Sequence, residues 1–129
     1  MEKYLIDTNI VSHYFSASIP KSGLEFLDSV IDAIPNLSVI TQIELLSWKT
    51  NPLTEQLIID FISDSKILDI APEVIKECVN LRRTRKIKTP DSIIAATAIA
   101  YGLTLLTDNE TDFRNIKFLK VVNPHRIEP

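Results

Sequence analysis

The sequence has few of the residues on which several common functional sites depend. Glycine occurs only as Gly23 and Gly102, which rules out the glycine-rich loops of P-loop and dinucleotide-binding proteins. The single cysteine, Cys78, cannot form an internal disulfide. Two histidines without a cysteine cluster do not predict a zinc site. We expect His13 and His125 to be surface or helix residues without a catalytic role.

Long hydrophobic runs and a net positive charge are also absent. The longest uncharged run, residues 92–107, has 16 residues, fewer than the roughly 20 that span a bilayer. Glu2 and Lys3 precede only a short apolar stretch, so no signal peptide is predicted. We therefore expect a cytoplasmic protein that does not enter a membrane. The net charge of −3 argues against a basic nucleic-acid-coating surface.

The pattern that is present predicts a single α/β domain over residues 1–129. Five short apolar stretches suit buried parallel strands, at residues 3–6, 37–40, 66–70, 103–106 and 118–122. The segments between them have helical spacing. Pro72 and Pro90 stand where a first-turn proline opens a helix, and Gly102 stands where a glycine ends one. Alternating strands and helices predict a mostly parallel sheet.

Acidic residues follow several of these strands. Asp7 comes directly after the first strand, and Glu44 lies in the first turn of a helix that Thr41 is predicted to open. Asp91 is expected to be the second residue of a helix capped by Thr89, which runs back to the fourth strand. Strand ends and helix starts share one edge of a parallel sheet, where ligands bind. The topology therefore predicts that these acids converge.

Each acid also has a structural interpretation. Asp7 could cap the next helix, Thr41 and Glu44 match a capping box, and Asp91 suits the dipole of a first helical turn. The acids after the fourth strand could be turn residues. Their convergence favours a functional site, because neighbouring desolvated carboxylates repel one another unless a cation such as a divalent metal binds between them.

One dense basic run, residues 82–88, precedes Asp91. It is open to two interpretations: a solvated helix C-terminus favoured by the dipole, or a rim that holds nucleic-acid phosphates beside the acids. On the second interpretation, the predicted substrate-binding residues are Arg82, Arg83, Arg85, Lys86 and Lys88.

Four motifs in this order resemble the PIN-domain family, and specifically VapC-type ribonuclease toxins of toxin–antitoxin modules. They are LIDTNI at residues 5–10, SVITQIELL at 38–46, KTPDSIIAATAIAYGLTLLT at 88–107 and TDNETDF at 107–113. The resemblance implies a PIN-like three-layer α/β/α fold with a mostly parallel central sheet. It also implies a magnesium-dependent endoribonuclease, with manganese as a substitute, that cleaves RNA, binds a cognate antitoxin and forms a homodimer.

The resemblance also implies roles for individual residues. Asp7 and Asp91 would be the principal metal ligands, and Glu44 would orient or deprotonate the attacking water. Asp112, with Asn109, would complete the site. Many family members carry aspartate where this chain has Asn109, so one metal or two, and Asp108 as an alternative ligand, stay open. The implied catalytic set is Asp7, Glu44, Asp91 and Asp112, and the metal-binding set adds Asn109.

Three functions other than RNA cleavage are consistent with part of this pattern. A haloacid-dehalogenase-like phosphatase would need an aspartate at position 9, where the chain has Asn9. A phospho-acceptor receiver would need paired acids after the first strand and an acceptor aspartate near mid-chain, which Glu44 does not supply. The remaining alternative is a catalytically silent PIN-like module that binds RNA or protein. The presence of all three main acids favours the ribonuclease.

Overall fold

The computed structural model describes residues 2–129 and has a five-stranded sheet at its centre. All neighbouring strands are parallel, and their order is β3-β2-β1-β4-β5. The strands are β1 (Tyr4–Ile6), β2 (Asn36–Ser38), β3 (Lys66–Leu68), β4 (Thr104–Leu106) and β5 (Lys120–Val122). Each overlaps one of the five predicted apolar stretches, so the predicted α/β class and parallel sheet are confirmed.

Seven helices connect or follow the strands in the part of the chain that the structure describes. They are α1 (Thr8–Phe15), α2 (Lys21–Asp32), α3 (Val39–Leu46), α4 (Pro52–Ser63), α5 (Pro72–Thr84), α6 (Thr89–Tyr101) and α7 (Glu110–Phe113), followed by a C-terminal 3₁₀ turn (Pro124–Arg126). Within residues 2–129, none of these helices has the length and apolar character needed to cross a bilayer.

The sheet is covered on both faces, which gives three layers. Leu5 of β1 and Leu105 of β4 are fully buried in a cluster with residues of α5 and α6. Ile6 and Leu106, one residue further along, are buried in a second cluster with residues of α1, α2 and α4. Successive side chains of a strand point to opposite faces, so the two central strands contribute to both cores. The predicted α/β/α layering is confirmed.

Helix starts differ in detail from the predicted ones. The prediction that Thr41 opens α3 is wrong, because α3 begins at Val39 and the N-cap is Ser38, whose Oγ accepts a 3.0 Å bond from the Thr41 amide. Strand β2 ends at Ser38, so the helix begins at the next residue and the hydroxyl of Ser38, not that of Thr41, caps it. Glu44 is therefore beyond the first turn and does not form a capping box.

Helix α6 shows a smaller shift. Its N-cap is Lys88, and Thr89 is its first helical residue and makes no capping hydrogen bond, so the predicted Thr89 cap is wrong by one position. Asp91 is the third residue and still lies in the first turn. Gly102 ends the helix as predicted, with a φ of 68° in the left-handed region that glycine adopts without a steric penalty. Pro72 is the first residue of α5, also as predicted.

The strand order fixes the position of a ligand site. Going outwards from β1, the chain adds β2 and β3 on one side, and β4 and β5 on the other. The connection after β1 leads to β2 on one side, and the connection after β4 leads to β5 on the other side. Because these two connections diverge, a crevice opens between the carboxyl ends of β1 and β4. The residues directly after the strands are Asp7 and Thr107.

Candidate active site

Asp7 lies at the bottom of this crevice and is almost fully buried, with 7% of its surface exposed. Its Oδ1 accepts a 2.8 Å bond from the amide of Thr8, so it does cap α1. Its Oδ2 accepts a 2.8 Å bond from the hydroxyl of Thr107. Burial outweighs both hydrogen bonds, and with the nearby charges of Asp91 and Glu44 it raises the pKa of Asp7 to about 6.

Glu44 reaches the crevice from α3. Its Oε1 accepts a short 2.6 Å bond from the hydroxyl of Thr8, whose amide is bonded to Asp7. The Thr8 hydroxyl also lies 3.1 Å from that of the buried Thr41. Thr8, the first residue of α1, therefore bonds to two carboxylates: to Asp7 at the end of β1 through its backbone amide, and to Glu44 of α3 through its hydroxyl.

Asn109 and Asp112 belong to the loop after β4 and to α7. The Asn109 amide donates a 3.0 Å bond to the Thr107 hydroxyl, and its side-chain nitrogen donates a 2.9 Å bond to Oδ2 of Asp112. Asn109 is also the N-cap of α7, since its Oδ1 accepts a 3.3 Å bond from the Asp112 amide. Asp112 is thereby joined to Asp7 through Asn109 and Thr107.

Asp91 enters the same site from the first turn of α6 and is partly buried. Its pKa is raised, first by burial and then by the charges of Asp112 and Glu44, while Lys88 opposes the shift. The charges of Glu44 in α3 and Asp112 in α7 therefore act on Asp91, although these residues are 47 and 21 positions away in the sequence. The crevice brings together all four acids that the sequence singled out as catalytic.

This set of side chains has the donor chemistry of a site for a hard divalent cation. Carboxylate oxygens from Asp7, Glu44, Asp91 and Asp112 and an amide oxygen from Asn109 are the ligands that magnesium and manganese prefer. Within residues 2–129, none of these four carboxylates forms an ion pair with a lysine, arginine or histidine. Lys88 offsets part of their mutual repulsion at Asp91, but no direct ion pair does so, and the donor set fits a divalent metal.

Asp108, the alternative fourth ligand, is oriented differently from Asp112. Its Oδ2 lies 3.2 Å from Nδ1 of His13 and 3.8 Å from Nε2 of His125. Asp112, by contrast, is bonded to Asn109. The expectation that the two histidines are ordinary surface or helix residues is incomplete, because both lie against the same carboxylate.

The basic run lies beside the site, but its members differ. Arg82 donates a 2.9 Å bond to the carbonyl of Ile87, and Arg85 donates bonds of 3.2 and 3.4 Å to the carbonyls of Arg114 and Asn115. Arg82 therefore bonds to the loop before α6, and Arg85 bonds to the segment that follows α7. Arg83, Lys86 and Lys88 are the exposed members of the run whose side chains make no hydrogen bond within residues 2–129.

The sequence interpretation did not single out two threonines that assemble the site. Thr8 and Thr107 are buried, with 8% and 0% of their surfaces exposed, and each bonds directly to Asp7. The available signal was their position: Thr107 stands immediately after β4, Thr8 follows Asp7 at the end of β1, and each lies within one of the acidic motifs. Buried hydroxyls at such positions need a hydrogen-bond partner, and the neighbouring carboxylates supply it.

Comparison with known proteins agrees with this architecture. A family model described as PIN domain matches residues 4–119. The chain belongs to the PIN-domain family. A search of curated proteins found no significant match to this PIN domain.

Solved structures give the same result. A chain of a toxin-antitoxin complex from Klebsiella pneumoniae has 32% sequence identity and a TM-score of 0.75, covering 97% of this chain and 100% of that chain. A chain of VapBC2 from Rickettsia felis has 25% identity and a TM-score of 0.75, covering 93% and 97%. VapBC-1 from nontypeable Haemophilus influenzae, at 22% identity, shares the fold with a TM-score of 0.77, covering 94% and 97%. The resemblance of this PIN domain to VapC-type toxins is confirmed.

Proposed function

We propose that this protein is a metal-dependent endoribonuclease and the toxin of a toxin–antitoxin module, with residues 1–129 forming one PIN-like domain. The relative from Klebsiella pneumoniae, which covers nearly the whole chain, comes from a toxin-antitoxin complex, and this supports the assignment to such a module. The observation that carries the proposed catalytic activity is the state of Asp7. This carboxylate is buried, and its pKa is raised to about 6. It lies near Glu44, Asp91 and Asp112, and within residues 2–129 none of the four acids forms an ion pair.

The acids would hold one or two magnesium ions, with manganese as a substitute. Asp7 and Asp91 would be the principal ligands, and Asn109 and Asp112 would complete the set. A bound divalent cation would supply charge stabilisation at the phosphate and acidify the attacking water. Thr107 keeps Oδ2 of Asp7 oriented, and this fixed geometry reduces the reorganisation needed when a cation binds.

Glu44 would act on the attacking water. Its hydrogen bond to Thr8 engages Oε1, so Oε2 is the oxygen that would accept the proton from water. Phosphodiester hydrolysis also needs a group near the leaving oxygen, and among the described residues 2–129 no histidine is bonded to Asp7, Glu44, Asp91 or Asp112. We therefore propose that the leaving oxygen is stabilised by water or by the bound cation, and that no protein side chain protonates it.

RNA would lie across the crevice with its phosphates on the basic rim. Arg83, Lys86 and Lys88 are exposed, and Lys88 is close enough to Asp91 to lower its pKa. Arg82 and Arg85 would contribute charge from their braced positions. Contacts of this kind position RNA without reading its sequence.

The partners follow from the same site. A cognate antitoxin would cover the acidic edge and place an arginine among the carboxylates, because the guanidinium fork bonds two carboxylate oxygens at once. We also propose a homodimer, as implied by the resemblance to VapC-type proteins, and action in the cytoplasm.

The deciding experiment is a cleavage assay on a broad panel of structured RNAs with purified, antitoxin-free protein. Cleavage should appear with magnesium or manganese, disappear with chelator, and be absent in Asp91→Asn. Binding of RNA without cleavage under every metal condition would instead identify a catalytically silent binding module.

A further inference from the structure

A second group of metal-ligating side chains lies outside the acidic set. His13 is in the last turn of α1, Asp108 follows Thr107 after β4, and His125 is in the C-terminal 3₁₀ turn. Nδ1 of His13 is 3.0 Å from Nε2 of His125 and 3.2 Å from Oδ2 of Asp108, and the third side of the triangle is 3.8 Å. All three side chains are partly exposed, so an ion can reach them.

The fold holds these residues together by specific packing. A Cβ on residue 23 would overlap the carbonyl oxygen of Pro124, so only glycine allows the C-terminal turn to lie this close to α2. Ser22, the preceding residue, donates a 2.6 Å bond to the carbonyl of Ile127. The turn itself is capped by Asn123, which accepts a 3.0 Å bond from the amide of His125. The backbone of the turn is therefore held against α2, and the side chain of His125 reaches His13 of α1.

The size of the triangle suits a small ion. Around a tetrahedral centre with bonds of about 2.0–2.1 Å to nitrogen and oxygen, neighbouring ligand atoms lie about 3.3–3.4 Å apart. The three separations between the ligand atoms, 3.0, 3.2 and 3.8 Å, bracket that value. In addition, the two imidazole rings are nearly perpendicular, at 82°, which lets both nitrogens face one point without the rings colliding.

The ligand types favour a transition metal over magnesium. Imidazole nitrogen suits zinc, copper, nickel and iron, whereas magnesium takes oxygen ligands and keeps most of its waters. Two imidazoles and one carboxylate match the three-ligand sets that leave a fourth position on zinc for water. The acidic site has no imidazole, so the two sites differ in the metal they select.

We propose that His13, Asp108 and His125 bind one zinc ion per chain at a site separate from the acidic crevice. The bound ion would link the end of α1 and the C-terminal turn to the loop after β4. Asp108 lies in that loop directly before Asn109. The resulting site has one open coordination position. This inference does not depend on the proposed ribonuclease activity.

The test measures metal binding directly, on the full chain without a polyhistidine tag. Titration with Zn²⁺ in a calorimeter, with Mg²⁺ in large excess to occupy the acidic crevice, should give one ion per chain. With Co²⁺ as the probe, a four-coordinate site with imidazole ligands should give visible absorption stronger than that of the hydrated ion. Zn²⁺ should also raise the melting temperature, because it binds only the folded chain.

Three variants identify the ligands: His13→Gln, His125→Gln and Asp108→Asn. Each should weaken Zn²⁺ binding by more than the roughly 10–100-fold loss that removal of an outer-shell partner already causes. Glutamine and asparagine keep hydrogen-bonding capacity, and circular dichroism checks that each variant is folded. A variant that does not fold is replaced by the corresponding alanine, measured in the same way.

The matched controls are Asp112→Asn, four residues from Asp108, and the double variant Asp7→Asn/Asp91→Asn. All should bind Zn²⁺ and Co²⁺ as the parent does. Loss of binding in these controls would place the ion in the acidic crevice. Survival of binding in all three cluster variants would show that His13, His125 and Asp108 are not its ligands. Either result would overturn the proposal. Absence of any Zn²⁺ binding by the folded parent would also overturn it. None of these outcomes depends on RNA cleavage.

Discussion

The hydroxyl of Thr107 donates a 2.8 Å hydrogen bond to Oδ2 of Asp7, a residue 100 positions earlier in the chain. The same hydroxyl accepts a 3.0 Å bond from the amide of Asn109. A single fully buried oxygen therefore joins the acid after β1 to the loop after β4. This relationship makes Thr107 a positioning residue for the carboxylate that the proposed mechanism needs most.

Thr107→Val should show the effect of that bond. Valine has nearly the same shape but leaves a buried carboxylate oxygen and an amide without their partner, at a cost of about 1–3 kcal/mol in the free energy of unfolding. Urea unfolding in chelator measures this loss. Thr107→Ser is the matched control, since it keeps the hydroxyl and should retain Mg²⁺ binding. Equal stability and equal Mg²⁺ affinity in the two variants would contradict a positioning role.

Asp7→Asn and Asp91→Asn should each abolish RNA cleavage without destabilising the metal-free protein. Neutralising one acid relieves the desolvation and repulsion that raise both pKa values. Magnesium should raise the melting temperature of the parent and raise that of the variants much less. Thermal melts in chelator and in excess magnesium make this comparison.

The alanine variants at the same positions separate a site from a scaffold. Asparagine is itself a good N-cap, whereas replacing an N-cap by alanine costs about 0.5–2 kcal/mol. Asp7 caps α1, so Asp7→Ala should lose part of the stability that Asp7→Asn gains. If magnesium shifts the melting temperatures of parent and alanine variants equally, Asp7 and Asp91 are structural residues and do not bind metal.

The metal-free protein should lose stability as the pH rises through the range in which Asp7 ionises. Folding raises the pKa of Asp7 from 3.8 to about 6, so the folded chain holds this proton more tightly than the unfolded chain does. The contribution is fully present below pH 3.8 and is lost by pH 7. The difference corresponds to roughly 3 kcal/mol.

Comparison with Asp7→Asn isolates this group, because other titrations largely cancel between the two proteins. The free energy of unfolding of the variant minus that of the parent should grow from pH 4 to pH 7 in chelator. Saturating magnesium should reduce the growth, since the cation stabilises the ionised form. A difference that stays constant over this range would show that Asp7 is not desolvated in the folded protein.

The basic run should divide into two functional groups. Replacing Arg83, Lys86 and Lys88 with alanine, in the inactive Asp91→Asn background, should weaken RNA binding and flatten its salt dependence by about 0.7 per lost phosphate contact on a single strand. Replacing Arg82 and Arg85 should lower the melting temperature more, because their bonds to backbone carbonyls are lost. An unchanged salt slope in the triple variant would leave the run as a solvated helix end.

Sequence reasoning predicted the sheet and the meeting of the acids because both depend on general rules. Parallel strands put their carboxyl ends at one edge, so Asp7, Glu44 and Asp91 could be brought together without knowing any contact. Local capping was harder to predict. Ser38 and Thr41 are both good capping residues, and only the point at which β2 ends decides between them.

The histidine cluster was beyond the reach of sequence reasoning for a different reason. His13 and His125 lie 112 positions apart, and neither has a periodic or spaced partner. Their meeting depends on the close approach of the C-terminal turn to α2 at Gly23. A lone glycine in a helical segment carries no information about which distant segment will cover it.

The strand order also has a consequence for the timing of folding. The central strand β1 is made first, yet its neighbour β4 is separated from it by about 100 residues. Closing so large a loop is entropically costly, and chains dominated by such distant pairings fold slowly. During synthesis, Asp7 therefore has no hydrogen bond from Thr107 until the chain has grown by the 100 positions that separate them. A nascent or truncated chain lacks the complete set of acids, so hydrolytic capacity would arise only in the last stage of folding.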